Sequence, residues 1–246
     1  CIRDSPKASE AMQLFKEANR MLNQLDAVYQ THGVVNIMDA NADGDDLLLN
    51  GKRFPLLRQQ AAKLKKDDPF LCLSDFVRPL SSGITDKIGA FATTVDAEME
   101  QLYAEDDYKR MLVQTLSDRL AEATAEKLHE DVRKKLWGYA PDENLSVKDL
   151  HNEKYQGIRP AVGYPSLPDQ SINFLLDELL DMKQIGISLT ENGMMKPHAS
   201  VCGLMFAHPA SRYFSIGKIG EDQLADYAAR RGMSIEETKK FLAANL

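Results

Sequence analysis

With 246 residues, 43% hydrophobic and 27% charged, the chain is long enough to bury a large core and falls between one large domain and two small ones. A formal net charge of -7, with no Lys/Arg cluster interleaved with aromatics, argues against nucleic acid or an anionic membrane as the main partner. The longest apolar runs, such as Leu47 to Leu49 and Val201 to Phe206, are far too short for a membrane span, and the N-terminal residues lack the regions of a signal peptide, so a cytoplasmic location is expected.

Met12, Phe15, Ala18, Met21, Leu22 and Leu25 recur at three-and-four spacing and predict an amphipathic helix from Ser9 to about Tyr29, started at Ser5-Pro6, with one stripe turned inward. GVVNIMDA (Gly33 to Ala40) and LLLNGK (Leu47 to Lys52) read as two strands joined through the turn-rich NADGDD. FPLLRQQAAKLKK reads as a short helix, and the basic run KLKKDD (Lys63 to Asp68) as its solvated end. LCLSDFV and KIGAFATTV read as buried or half-buried strands separated by the polar loop RPLSSGITD. Asp107 to Trp137 gives the clearest helix, with Leu112, Leu116, Leu120, Leu128, Val132 and Leu136 on one face and Arg119, Glu122, Glu126, His129 and Arg133 on another. A short helix around Val147 to Glu153 follows, then a proline-rich loop, then a helix from Ile172 to Gln184 ended by Gly186. ISLTENGMM, ASVCGLMFAHP and RYFSIGKIG read as strands, the last two as a hairpin around HPAS. Two helices close the chain, Glu221 to Arg230 and Ser234 to Ala243, the second opened by a Ser-Ile-Glu-Glu capping box.

Strands fall in groups separated by helices without regular alternation, which predicts an α+β fold: a twisted antiparallel sheet with flanking helices. A dinucleotide-type α/β fold is disfavoured, because Gly217-Lys-Ile-Gly220 follows a late strand and lacks the required glycine spacing. Cys1, Cys72 and Cys202 lie far apart, and the five histidines show no ligand spacing, so no metal site and no disulfide framework is expected. No Cys, His or Ser is placed like a nucleophile with its base, so no catalytic residue is assigned.

The loop RPAVGYPSLPDQ (Arg159 to Gln170) is the most informative stretch. Three prolines make it rigid, Gly163 allows close backbone approach, and Arg159 offers a planar fork suited to a carboxylate or phosphate. A connector whose Arg is solvated or caps a neighbouring helix fits the same spacing.

LRQQ (Leu57 to Gln60), DFV (Asp75 to Val77), IGAFA (Ile88 to Ala92), DRLAEA (Asp118 to Ala123), WGYAPDENLS (Trp137 to Ser146), YQGIRPAVGYP (Tyr155 to Pro165) and ASVCGLMFAHPASRYFSIGKI (Ala199 to Ile219) follow one another across nearly the whole chain. In this order they resemble the C-terminal activation domain of cobalamin-dependent methionine synthase. The resemblance implies that residues 1-246 form one S-adenosylmethionine-binding domain, and the abrupt start at CIRDSPKASE leads us to expect a piece of a longer enzyme. Cobalamin would be held by an upstream domain, since the DxHxxG motif that ligates cobalt in the family is absent here. The implied partners are that cobalamin-binding domain and flavodoxin or another electron donor.

By the same resemblance, Asp75, Glu122, Arg159, Ala161, Tyr213 and Phe214 bind S-adenosylmethionine. Arg159 would take the carboxylate, Asp75 and Glu122 the ammonium and sulfonium charge, and Ala161 with the Tyr213-Phe214 region the backbone contacts. Gly163 and Tyr164 would face cobalamin, and Gln170 stands where the family often has histidine. Taken without the resemblance, Asp75 closes a strand or starts a turn, Glu122 pairs with Arg119, Tyr213 packs, and Tyr164 plugs the core beneath its loop. The implied activity is reductive methylation of cob(II)alamin. A regulatory module that senses S-adenosylmethionine without methyl transfer is the alternative, and a hydrolase using Asp75 and Glu122 as acid and base is a third reading.

Overall fold

The computed structural model describes residues 7-60 and 68-246. Its centre is a five-stranded antiparallel sheet in the order β3-β2-β1-β4-β7, formed by β1 (Thr31–Asp43), β2 (Asp46–Leu49), β3 (Lys52–Pro55), β4 (Asp86–Val95) and β7 (Ser200–Met205). β1 pairs with β4 from Thr31 opposite Val95 to Ala40 opposite Asp86. Two-residue turns close the first hairpins, at Gly44-Asp45 and at Asn50-Gly51, where both residues have positive φ (49° and 81°). The Asn-Gly signal thus splits the predicted LLLNGK strand in two.

β4 is buried from Ile88 to Val95 because the sheet is covered on both faces. Ile88, Ala90 and Ala92 join a core with Leu176 and Leu180 of α4 (Ile172–Leu180). Phe91 alternates to the other face, against Ala125 and Val132 at the end of α2 (Asp107–Asp131). The innermost stripe of α2 is not the predicted leucine row but Val113, Ser117, Ala121, Ala125 and His129, each four residues apart and buried. Small side chains bring this helix close to the sheet, and Thr93 Oγ1 donates to the Ala121 carbonyl at 3.0 Å. The predicted apolar row divides: Leu112 and Val132 are buried, Leu116, Leu120 and Leu128 half-buried, and Leu136 is exposed. His129 and Arg133, placed on the polar face by the sequence, are fully buried. The helix then widens into one π turn over Val132–Leu136.

Several expectations are corrected. In α1 (Ala8–Asp26) only Met21 and Leu25 are buried, and Met12 and Phe15 remain exposed; the Ser5-Pro6 start lies outside the described residues. Leu56 to Gln60 is extended rather than helical, tied down by Leu56 N to Asp45 O and Gln59 N to Leu71 O, and residues 61-67 lie outside the described part. LCLSDFV is not a strand. Its Leu73–Phe76 portion is a 3-10 turn, because the Asp75 carboxylate accepts from Cys72 N at 2.8 Å and closes it.

The RYFSIGKIG segment also forms no strand. The edge of β7 that it was expected to pair with is taken by Ile158 to Val162: Ile158 and Phe206 exchange backbone hydrogen bonds, Leu204 N donates to Pro160 O, and Val162 N to Cys202 O. Pro160 has no N–H, so this pairing stays a pair of isolated bridges. Ser166 Oγ and the Phe214 backbone then hold the Tyr213 region across the loop. Further short elements are α3 (Val147–His151), the hairpin β5 (Ser188–Leu189) and β6 (Met195–Lys196), α5 (Glu221–Arg231) and α6 (Ile235–Phe241), the last capped by Ser234 Oγ accepting from Glu237 N.

Gly203 makes the approach of the Arg159 loop possible. A Cβ there would overlap Pro160 O and come within 2.8 Å of Ala161 Cα. Gly203→Ala is therefore expected to cost about 1–3 kcal/mol, read as a lower urea midpoint at unchanged slope.

Candidate ligand-binding cavity

Because Ile158 to Val162 is zipped to β7, the Arg159 side chain is carried toward α2, where its Nη2 donates to Glu126 Oε2 at 2.5 Å. The Arg159 backbone N donates to the Tyr213 hydroxyl at 3.0 Å. Between this loop and α2 lies a cavity of about 640 Å³. Glu122, Arg159, Ala161, Tyr164, Tyr213 and Phe214 all line it. Helical periodicity places Glu122 and Glu126 on one face of α2, and the Tyr164 hydroxyl donates to Glu122 Oε1 at 3.3 Å. Glu122 also pairs with Arg119 at 2.7 Å, the contact expected from spacing alone.

Burial works against the charge on Arg159, but its bond to Glu126 together with the charges of Glu126, Tyr213 and Tyr155 outweighs this and raises its pKa. Among the described residues two atoms of this pair find no partner: Glu126 Oε1 and Arg159 Nε are buried and make no hydrogen bond. Unsatisfied charged groups are costly, and their clustering at one cavity marks a place where a polar ligand is wanted.

Asp75 is not part of this cavity. Both of its oxygens accept from Arg58, at 2.8 and 2.7 Å, and it lines a separate space of about 410 Å³ with Phe76, Arg78, Lys87 and His208. Phe76, which lines this space, meets Phe214, which lines the other, with ring centroids 6.4 Å apart. The expectation that Asp75 shares the groove of Arg159 is corrected accordingly: a bidentate guanidinium holds it elsewhere. Gly163 does not line the cavity either. It has a φ of 85°, and a Cβ there would overlap the Gln170 amide, so glycine serves the loop's internal packing.

Glu126, Glu153, His151 and Tyr155 also line the cavity, and the resemblance does not point to them as site residues. For Glu126 the signal was present, four residues after Glu122 on a recognised helix. The other three depend on a chain reversal between α3 and the loop that no local pattern reports.

Behind the wall, Arg133 is fully buried and donates from Nε and Nη2 to both oxygens of Glu143, at 2.7 to 3.1 Å. Its guanidinium carbon lies 4.4 Å from the centroid of the Tyr155 ring, and His129 meets that ring edge-on at 5.1 Å. Tyr155 is thereby fixed from its hidden side. Burial first, then Arg133 and Arg159, hold the His129 pKa well below its ordinary value.

Since His129 takes up a proton near pH 6.5 only when unfolded, the unfolded state binds more protons below that pH. Stability is fully present above about pH 6.5 and falls as the pH drops toward the depressed folded value, by up to about 1.4 kcal/mol per pH unit from this group. Urea titrations of the parent and His129→Gln between pH 7 and 5 should show the flatter dependence in the variant.

The two described cysteines are buried, with burial pushing the Cys72 thiol up to about 11 and the Cys202 thiol higher still, so neither is primed as a nucleophile. Among the described residues no group of three or more His, Cys, Asp and Glu is placed to hold a metal ion, and no helix is long and apolar enough to cross a membrane.

A curled antiparallel sheet flanked by helices, with a polar cavity between a helix and a rigid edge loop, defines an α+β small-ligand-binding domain. The chain belongs to the family of the vitamin B12 dependent methionine synthase activation domain, which matches residues 1–232. It is also similar to a solved structure described as the MetH reactivation domain bound to AdoHcy, at 45% sequence identity and a TM-score of 0.91, over 100% of this chain and 80% of that one.

Proposed function

We propose that this chain binds S-adenosylmethionine in the cavity between α2 and the Arg159 loop and presents its methyl group for reductive methylation of cobalamin, returning a methionine synthase to its cycle. The observation that carries this reading is the facing pair Arg159 and Glu126, each with a buried unpartnered atom, at a cavity of about 640 Å³. The similar domain bound to AdoHcy supports it, since that ligand is what S-adenosylmethionine becomes on losing its methyl group.

In this reading Arg159 receives the ligand carboxylate, Glu122 and Glu126 supply negative charge toward the ammonium and sulfonium, and Ala161 with Tyr213-Phe214 forms the wall beside the nucleoside. Asp75, bound through both oxygens to Arg58 in the neighbouring space, is left out of this reading. Tyr164, exposed and anchored to Glu122, faces the cobalamin-binding domain of the same enzyme. A corrinoid held by the cobalamin-binding domain would supply the nucleophile, with flavodoxin or another donor as the source of the electron. This chain contributes position: a methyl sulfonium held in line removes much of the entropy cost of a bimolecular encounter, an effect on the order of several kcal/mol. Residues 1-246 then act as one activation domain of a longer methyltransferase and are catalytically incomplete alone.

Isothermal titration with S-adenosylmethionine tests binding, and no heat at millimolar ligand rejects the proposal. Methylation of cobalamin after addition of the cobalamin-binding domain and a reductant separates the activating role from a purely regulatory one.

A further inference from the structure

The Arg159–Glu126 contact differs from the buried guanidinium–carboxylate pair behind the cavity wall. Arg133 and Glu143 share three hydrogen bonds that use both carboxylate oxygens. Arg159 and Glu126 share a single Nη2–Oε2 bond, and each keeps an unpartnered buried atom, Nε and Oε1. Both side chains line the cavity and remain partly accessible, at 21% and 29% exposure. Glu122, the acid suggested by resemblance, has both oxygens engaged, by Arg119 and by Tyr164.

We propose that Glu126 is the acceptor for the ligand's α-ammonium, and that its bond to Arg159 is a placeholder for the zwitterionic head group of an amino acid. This rests on the reading of the cavity as an S-adenosylmethionine site. An α-amino acid carries a carboxylate and an ammonium on one carbon, the charge-inverted counterpart of a guanidinium beside a carboxylate. On entry the ligand carboxylate takes the fork of Arg159, including Nε, and the ammonium donates to the oxygens of Glu126. One internal ion pair is exchanged for two ligand pairs, and both unpartnered atoms gain partners. The selection is for a free amino-acid head: a ligand with the carboxylate alone must compete with Glu126 for Arg159, and one with the ammonium alone must compete with Arg159 for Glu126.

The test is isothermal titration of the whole chain and of Glu126→Gln with S-adenosylmethionine and with its analogue in which hydrogen replaces the α-amine. The variant is expected to bind S-adenosylmethionine about 10-fold or more weakly, yet to bind the deaminated analogue at least as tightly as the parent does, because Arg159 is released from its competitor. Equal losses for both ligands, or no loss for either, would overturn the proposal. A parent that binds no S-adenosylmethionine contradicts the proposed function instead. Should Glu126→Gln not fold, a ligand-bound structure of the parent decides: Glu126 bonded to the ligand nitrogen supports the exchange, and an intact Arg159–Glu126 bond overturns it.

Discussion

Arg159→Ala is expected to weaken S-adenosylmethionine binding on the order of 100-fold, or about 3 kcal/mol, while leaving the chain folded. Arg159 is the guanidinium lining the cavity, and its removal subtracts the carboxylate contact and takes from Glu126, already lacking a partner for Oε1 among the described residues, its bond to this loop. The fold survives because the loop is held by backbone: Leu204 N to Pro160 O, Val162 N to Cys202 O and the Ile158–Phe206 pair do not involve the Arg159 side chain. Titration calorimetry paired with a urea melt checks both halves. Unchanged affinity would show that the carboxylate is held elsewhere. Arg159→Lys should recover only part of the loss, since an ammonium cannot present the paired donors of a planar fork.

Glu143→Ala is expected to destabilise the chain by about 3–5 kcal/mol, because it leaves a buried guanidinium without a counter-charge. Arg133 is fully buried, its Nη1 already lacks a hydrogen bond, and Glu143 is its carboxylate partner. For a domain of this length the melting temperature should fall on the order of 10 °C. Arg133→Met combined with Glu143→Ala should restore much of that loss, since an apolar side chain of similar volume needs no partner. The double variant also loses the cation behind Tyr155, so it should regain stability without regaining full ligand affinity. A single variant that melts like the parent would mean that water reaches Arg133.

Much of the framework was legible in local pattern. The apolar, β-prone composition of the segments that became β1, β4 and β7, and the capping Ser234 of α6, report short-range preferences that the tertiary fold leaves intact. The errors share one cause. LCLSDFV and RYFSIGKIG have strand-like composition, but Asp75 closes a turn onto Cys72 in the first, and Ile158 to Val162 occupies the expected β7 edge in the second. Apolar composition reports burial, not which neighbour supplies the hydrogen bonds. His129 and Arg133 were misplaced for the reverse reason, because a polar side chain on a helix reads as exposed until the partners that satisfy it, Tyr139 and Glu143, are seen to fold over it.

For the cavity, sequence alone determined which stretch bears the guanidinium, that the loop around it is rigid, and to which family the ordered blocks point. Only the tertiary structure decided that Glu126 meets Arg159, that Asp75 is held by Arg58 in a neighbouring space, and that Tyr155 is braced by a buried charge. The physical reason is range. Turn stiffness and helix periodicity act within a few residues, whereas the pairing of Arg159 with Glu126 joins positions 33 residues apart and depends on how closely a helix with a small-residue stripe settles on the sheet.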